Sequence, residues 1–144
     1  MIWINGTLQS PELARIDPRD RGFTLGDGLF ETLAAMDGHP INLPAHLERL
    51  ARGSTVLELP LPIEATEVAT AISQVLEANG LSDGQAALRL SLSRGGGSRG
   101  LLLPFDPKPN LIIAASAFPQ VPSYLDAATV PIRRNEGSPL SRIK

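Results

Sequence analysis

Two rhythms of apolar residues run along this chain. Gly28–Met36 reads GLFETLAAM, a mixture of Leu, Phe, Thr and Ala typical of a buried strand. Gln85–Ser93 and Asn110–Ala117 have the same strand character. Residues 1–4 and Thr7–Gln9 are shorter runs flanking Asn5-Gly6, a dipeptide that readily takes positive φ and so predicts a two-residue hairpin turn. Asp37-Gly38 predicts a second turn, sending Gly28–Met36 back into residues 40–43.

The other rhythm is helical. Pro44 stands where a first helical turn tolerates proline, and Leu47, Leu50 and Leu57 give the segment one apolar side. Pro60 and Pro62 end it. Ala65, Val68, Ala69, Ile72, Val75 and Leu76 follow the three-and-four spacing of a second helix, with Asn79-Gly80 as its left-handed stop. Strands, then helices, then strands predict an α+β domain over residues 1–117, not a doubly wound parallel sheet. Residues 118–126, with Pro119 and Pro122, read as an interdomain linker. Residues 127–144 read as the start of a second domain, with a further strand at 127–133. The final Ser138-Pro139-Leu140-Ser141-Arg142-Ile143-Lys144 begins a new element, so the full protein is expected to continue.

Composition narrows the function classes. The 144 residues carry 13 basic and 15 acidic side chains, a net charge of −2, which argues against nucleic-acid or anionic-membrane partners but not against a local pocket for a small anion. With no cysteine there is no disulfide, zinc-thiolate site or thiol nucleophile, and no metal site is expected. The first residues, Met1-Ile2-Trp3-Ile4-Asn5-Gly6, lack the features of a signal peptide. The longest apolar run, residues 111–118, is too short to cross a bilayer, so a soluble, cytoplasmic protein is expected.

Residues 94–109 are rich in glycine, and Gly95, Gly97 and Gly100 match the spacing G-x-G-x-x-G. A dinucleotide site needs a helix to open directly after such a loop. Here Leu101-Leu102-Leu103-Pro104 follows, and Pro104 disfavours a helix. Two readings stay open. The stretch is a flexible hairpin loop, or its glycines let Arg94 or Arg99 reach a carboxylate, which a guanidinium fork suits better than a lysine point charge.

Three ordered motifs resemble the class-IV aminotransferase family of pyridoxal-phosphate enzymes. The first is Asp20-Arg21-Gly22-Phe23-Thr24-Leu25-Gly26-Asp27-Gly28-Leu29-Phe30-Glu31-Thr32, the second His46-Leu47-Glu48-Arg49-Leu50, and the third Arg142-Ile143-Lys144. The resemblance covers essentially the whole chain. It implies the N-terminal α/β domain of a two-domain, D-amino-acid-aminotransferase-like fold, cut at the start of the second domain. It further implies a covalent bond between Lys144 and pyridoxal 5'-phosphate, with the freed lysine amine moving a proton at the substrate carbon. Arg49 would hold the cofactor phosphate. His46 would line the phosphate site, unless it is a packed or capping histidine. Phe30 falls where several relatives place a tyrosine facing the substrate, and so shapes the pocket. Glu31 and Thr32 alternate faces on a strand, so at most one of them faces the site. The substrate would be a small amino carboxylate, held by Arg99 or Arg94, in a homodimer.

The loop Ser93-Arg94-Gly95-Gly96-Gly97-Ser98-Arg99-Gly100 is similar to that of 4-amino-4-deoxychorismate lyases, which eliminate pyruvate to give 4-aminobenzoate. Arg99 also matches the arginine of the R-x-H carboxylate trap of D-amino-acid transaminases, but Leu101 replaces the histidine. The lyase reading therefore leads, with a transaminase of D-amino acids or branched-chain amino acids as the alternative. A non-catalytic fragment or dimerisation domain is the reading from another class, because a pyridine-nitrogen partner would come from a second domain. A nucleotide-binding module predicts a helix directly after Gly100.

Overall fold

A computed structural model describes residues 1–120, 122–133 and 135–144. Val121, within the expected linker, and Arg134 lie outside the described residues. The strands are β1 (Ile2–Ile4), β2 (Thr7–Gln9), β3 (Gly28–Met36), β4 (His39–Pro40), β5 (Gln85–Ser93) and β6 (Asn110–Ala117). The helices are α1 (Arg21–Leu25), α2 (Leu43–Leu57) and α3 (Ala65–Ala78), and a 3-10 turn spans Pro139–Arg142. The strands form one sheet in the order β2-β1-β6-β5-β3-β4, with every pairing antiparallel. Antiparallel strands beside two longer helices make the expected α+β architecture.

Alternation along the central strands decides where the core lies. Leu29 and Leu33 of β3, Leu88, Leu90 and Leu92 of β5, and Leu111 and Ile113 of β6 are buried on one face. Leu50 of α2 and Val68, Ala71, Ile72, Val75 and Leu76 of α3 cover that face. Each fully buried Leu or Ile contributes about 1.5–3 kcal/mol relative to exposure, so this layer holds the domain together. The buried stripe of α3 takes in Ala71 rather than the exposed Ala65. The opposite face of the sheet carries Phe30 and Arg89 and stays open.

The turns follow their residues. Asn5 and Gly6 take φ of 49° and 92°, and Asp37 and Gly38 take 47° and 77°. Pro44 lies in the first turn of α2. Gly80, at φ 65°, follows the end of α3.

Three expectations need correction. The return strand is confined to His39–Pro40, because Leu43 already begins α2. Residues 127–133 form no strand; they are exposed throughout and pair with none of the described strands, and a strand without a partner leaves its ladder unmade. No helix follows Gly100, where residues 101–109 run as bends and irregular chain, which removes the nucleotide-binding reading. Among the described residues no helix is long and apolar enough to cross a membrane.

Candidate active site

Glu31 is the anomaly of the core. It sits in mid-strand, alternates to the helix side, and its side chain is 1% exposed. A carboxylate there needs compensation. The helix α2 supplies it one and two turns in, because His46 and Arg49 lie three residues apart and so share a side. Arg49 donates from Nε to Oε1 at 2.7 Å and from Nη2 to Oε2 at 2.5 Å. His46 Nδ1 lies 2.7 Å from Oε2. Burial pushes the Glu31 carboxyl up, but the hydrogen bonds from Arg49 and then His46 outweigh it and hold the group below the usual carboxylate range. The Arg49 guanidinium is correspondingly raised by its hydrogen bond to Glu31. Its Nη1 has no protein partner among the described residues, and its side chain is 40% exposed. Arg49 therefore presents one open edge to solvent while the other is fixed. His46 is drawn to the same carboxylate.

Lys144 meets the neighbouring residue of β3. The Phe30 N–H donates to the Lys144 carbonyl at 3.0 Å. The Lys144 Nζ lies 5.4 Å from the centre of the Phe30 ring. The amine is exposed and borders a cleft of about 570 Å³ whose walls include Arg21, Asp27, Leu29, Val56 and Arg94. Two adjacent residues of β3 thus hold the two expected cofactor groups: Phe30 the lysine, and Glu31 the arginine. The second cation at Phe30 is Arg89, whose guanidinium lies 4.1 Å from the ring centre. Sequence reasoning missed it. The alternation in Leu88-Arg89-Leu90-Ser91-Leu92 puts it on the face away from the leucines, and that signal was available.

The two loop arginines separate. Arg94 is 2% exposed and bonds Asp27 through Nε at 2.7 Å and Nη2 at 3.1 Å. Its Nη2 and Nη1 also donate to the carbonyls of Leu57 and Glu58 at 2.6 and 2.8 Å, satisfying the C-terminus of α2. The expectation that Arg94 reaches a substrate carboxylate is therefore corrected, since every nitrogen of its guanidinium is engaged inside the domain. Arg21, 5% exposed, shares the same aspartate through Nε at 2.8 Å. Burial pushes the Asp27 carboxyl up, and the bonds from Arg94 and Arg21 more than reverse it. Arg99, in contrast, is exposed at the edge of a separate cavity of about 350 Å³.

Residues 28–144 match the profile of the family described as amino-transferase class IV. The chain belongs to the class-IV aminotransferase family. Among its relatives, the aminodeoxychorismate lyase of Bacillus subtilis (strain 168) is 31% identical over 142 residues, covering 96% of this chain and 48% of that protein. The crystal structure of 4-amino-4-deoxychorismate lyase from Pseudomonas aeruginosa is similar at a TM-score of 0.66 and 34% identity, over 85% of this chain and 42% of that one. A hypothetical aminotransferase from Mycobacterium tuberculosis, solved in a PLP-bound form, is similar at a TM-score of 0.66 and 26% identity, over 83% of this chain and 40% of that one. This class-IV aminotransferase chain spans about half the length of the curated relatives it matches. The fold and the enzyme family expected from the three motifs are those found.

Proposed function

We propose that this chain supplies the covalent lysine and a phosphate anchor of a pyridoxal-phosphate enzyme acting on an amino carboxylate, and that the reaction is elimination of pyruvate from aminodeoxychorismate to give 4-aminobenzoate. One observation carries the reading: the Phe30 backbone N–H bonds the Lys144 carbonyl, and the next residue of β3, Glu31, fixes Arg49 from the helix side. The residues fit the cofactor. Lys144 offers an exposed primary amine at a cleft, and Arg49 offers a guanidinium fixed on one edge and free at Nη1. A fixed guanidinium binds a phosphate dianion with less loss of side-chain freedom than a floppy one.

Pyridoxal phosphate, when bound, would supply the electron sink that lets the carbon bearing the substrate's amine lose a proton. The chain's own residues do the rest. Arg49 holds the phosphate, and Glu31 keeps Arg49 in place. The exposed guanidinium of Arg99 takes the substrate carboxylate through paired N–H donors. The Lys144 amine would take the proton from the carbon that bears the substrate's amine and return it to the enolpyruvyl oxygen that leaves as the neighbouring C–O bond breaks. Phe30 forms an apolar wall beside it. A homodimer and a cytoplasmic location belong to the same reading.

The lyase is preferred because Leu101, 80% exposed, stands where a histidine would complete the D-amino-acid trap, while the 93–100 loop keeps the lyase pattern. The transaminase alternative has one observation in its favour: Arg99 itself keeps the trap's guanidinium exposed. The purified protein, loaded with pyridoxal phosphate, is given aminodeoxychorismate, and separately a panel of D- and L-amino acids with a 2-keto acid. Pyruvate with 4-aminobenzoate supports the lyase. Amino-group transfer alone supports the transaminase. Neither product, from protein that has bound the cofactor, refutes both.

A further inference from the structure

The Asp20–Gly28 motif contributes neither Lys144 nor Arg49, yet its charged residues are among the most buried in the domain. Asp20 is 1% exposed and Arg21 5%. Burying charge without a ligand needs a reason, and the partners give one. The Asp20 carboxylate accepts from Ser93 Oγ at 2.7 Å and from Asn110 Nδ2 at 2.6 Å. Ser93 closes β5 and Asn110 opens β6, so one carboxylate pins both ends of the glycine-rich loop.

Arg21 then shapes the loop between those ends. Its backbone N–H donates to the Gly95 carbonyl at 2.9 Å. Its guanidinium donates to the carbonyls of Gly100 at 3.1 Å, Leu101 at 3.3 Å and Leu102 at 3.2 Å, while Nε stays on Asp27. On the approach to Arg99 the loop also closes on the Arg21 stem, because a Cβ at Gly97 would stand 3.1 Å from Arg21 Cδ. Arg99 is thus bracketed: the chain touches Arg21 two residues before it and directly after it. A segment with glycine at 95, 96, 97 and 100 has little conformational preference of its own. Its shape is imposed by Arg21.

We infer that Arg21 is a positioning residue for the carboxylate-binding Arg99, pre-setting the loop that decides how tightly a carboxylate substrate is held. The inference rests on the proposed roles of Lys144 and Arg99. Guanidinium chemistry is required at position 21. A lysine keeps the charge opposite Asp27, but its single ammonium cannot span that carboxylate and three successive carbonyls. With the fork lost, the loop samples more conformers, and part of the binding free energy goes into ordering it again.

The test is steady-state kinetics of the pyridoxal-phosphate-loaded enzyme with aminodeoxychorismate, comparing wild type, Arg21→Lys, Arg99→Met and the double variant. Arg21→Lys should raise KM roughly tenfold, the scale of about one lost charged hydrogen bond, with kcat changed by less than about threefold. Its visible cofactor band should be retained. Because Arg21 acts through Arg99, the double variant should be no worse than Arg99→Met alone. A residue that merely held the fold together would instead give effects that multiply. KM of Arg21→Lys within about twofold of wild type, or multiplying effects in the double variant, overturns the inference. If Arg21→Lys fails to fold, Gly97→Ala crowds the same contact with Arg21 intact. It should raise KM in the same direction, and an unchanged KM there is equally fatal. A wild type that never gains the cofactor's visible band overturns the Lys144 reading and this inference with it; the band together with an unmoved KM overturns this inference alone.

Discussion

Asp27 is a carboxylate shared by two buried guanidiniums, and replacing it tests how the domain tolerates charge. Its side chain is 13% exposed, and those of Arg21 and Arg94 are 6% and 2%. Three hydrogen bonds converge on it, at 2.7, 2.8 and 3.1 Å. Asp27→Asn keeps the volume and one acceptor oxygen, but turns an NH2 group towards a guanidinium and leaves two buried cations without a counterion. Charged hydrogen bonds contribute about 1.5–3 kcal/mol each, and breaking a buried ion pair from one side costs about 3–5 kcal/mol. The upper range is expected here, because the positive charges left behind also repel. Against a typical domain stability of about 5–15 kcal/mol, that is a large fraction of the whole. The control is Asp17, whose bond to Arg19 is equally short at 2.7 Å but whose pair is solvated, at 39% and 79% exposure. The Arg19 hydrogen bonds hold the Asp17 carboxyl down at about 2, yet solvent screening leaves the pair little net stabilising effect. Equilibrium urea unfolding, followed by fluorescence of the buried Trp3, reads both variants. Asp27→Asn should lower the midpoint sharply, and Asp17→Asn should leave it unmoved. A loss below about 1 kcal/mol for Asp27→Asn, the scale of a solvated pair, would refute the reasoning.

Gly95→Ala should destabilise by more than about 2 kcal/mol in thermal unfolding, because strain and collision coincide there. Gly95 has φ +81°, and an added Cβ would stand 1.9 Å from the Lys108 carbonyl oxygen. Gly6→Ala, at φ +92° but in open space, should cost about 1 kcal/mol from backbone strain alone. Glu31 and Asp27 both have lowered carboxyl pKa values in the fold, so the stability they contribute is complete above the unfolded carboxylate range. It is lost as pH falls through their lowered native values; unfolding midpoints should hold from neutrality to about pH 5 and drop below about pH 4. Glu31→Gln should flatten that acid limb, and an unchanged limb contradicts the assignment. Arg49→Ala should weaken pyridoxal-phosphate affinity by roughly tenfold or more, measured by equilibrium dialysis, the scale expected for one charged contact to phosphate. Unaltered affinity removes Arg49 as the anchor.

The local elements were legible where composition and punctuation agreed. β3, β5 and β6 fall on the runs read as strands, because Asp37-Gly38 and the glycine-rich loop bound them sharply. α1 was not legible: five residues beside glycines have no helical period, and the capping bond from the Gly22 N–H to Asp20 is visible only in three dimensions. The strand order was hidden as well, since it sets β6 beside β1, whose residues lie over a hundred positions earlier in the chain. Residues 127–133 had strand composition but no partner. Within the site, His46 and Arg49 were legible as a helical pair, but their shared carboxylate was not. Glu31 signalled itself only as a charge in an apolar strand. Arg94 and Arg99 look alike in sequence. Their roles diverge because Asp27, 67 residues before Arg94, captures one and not the other.

The Lys144 amine is the proposed covalent seat of pyridoxal phosphate, and borohydride reduction followed by peptide mass spectrometry locates the bond. The purified, cofactor-loaded protein should yield a peptide containing Lys144 with the added mass of the reduced cofactor. Lys108, the chain's other lysine, should stay unmodified, and Lys144→Ala should carry no adduct. Bound cofactor with its adduct on another lysine, or with none at all, would rule out Lys144 as that seat.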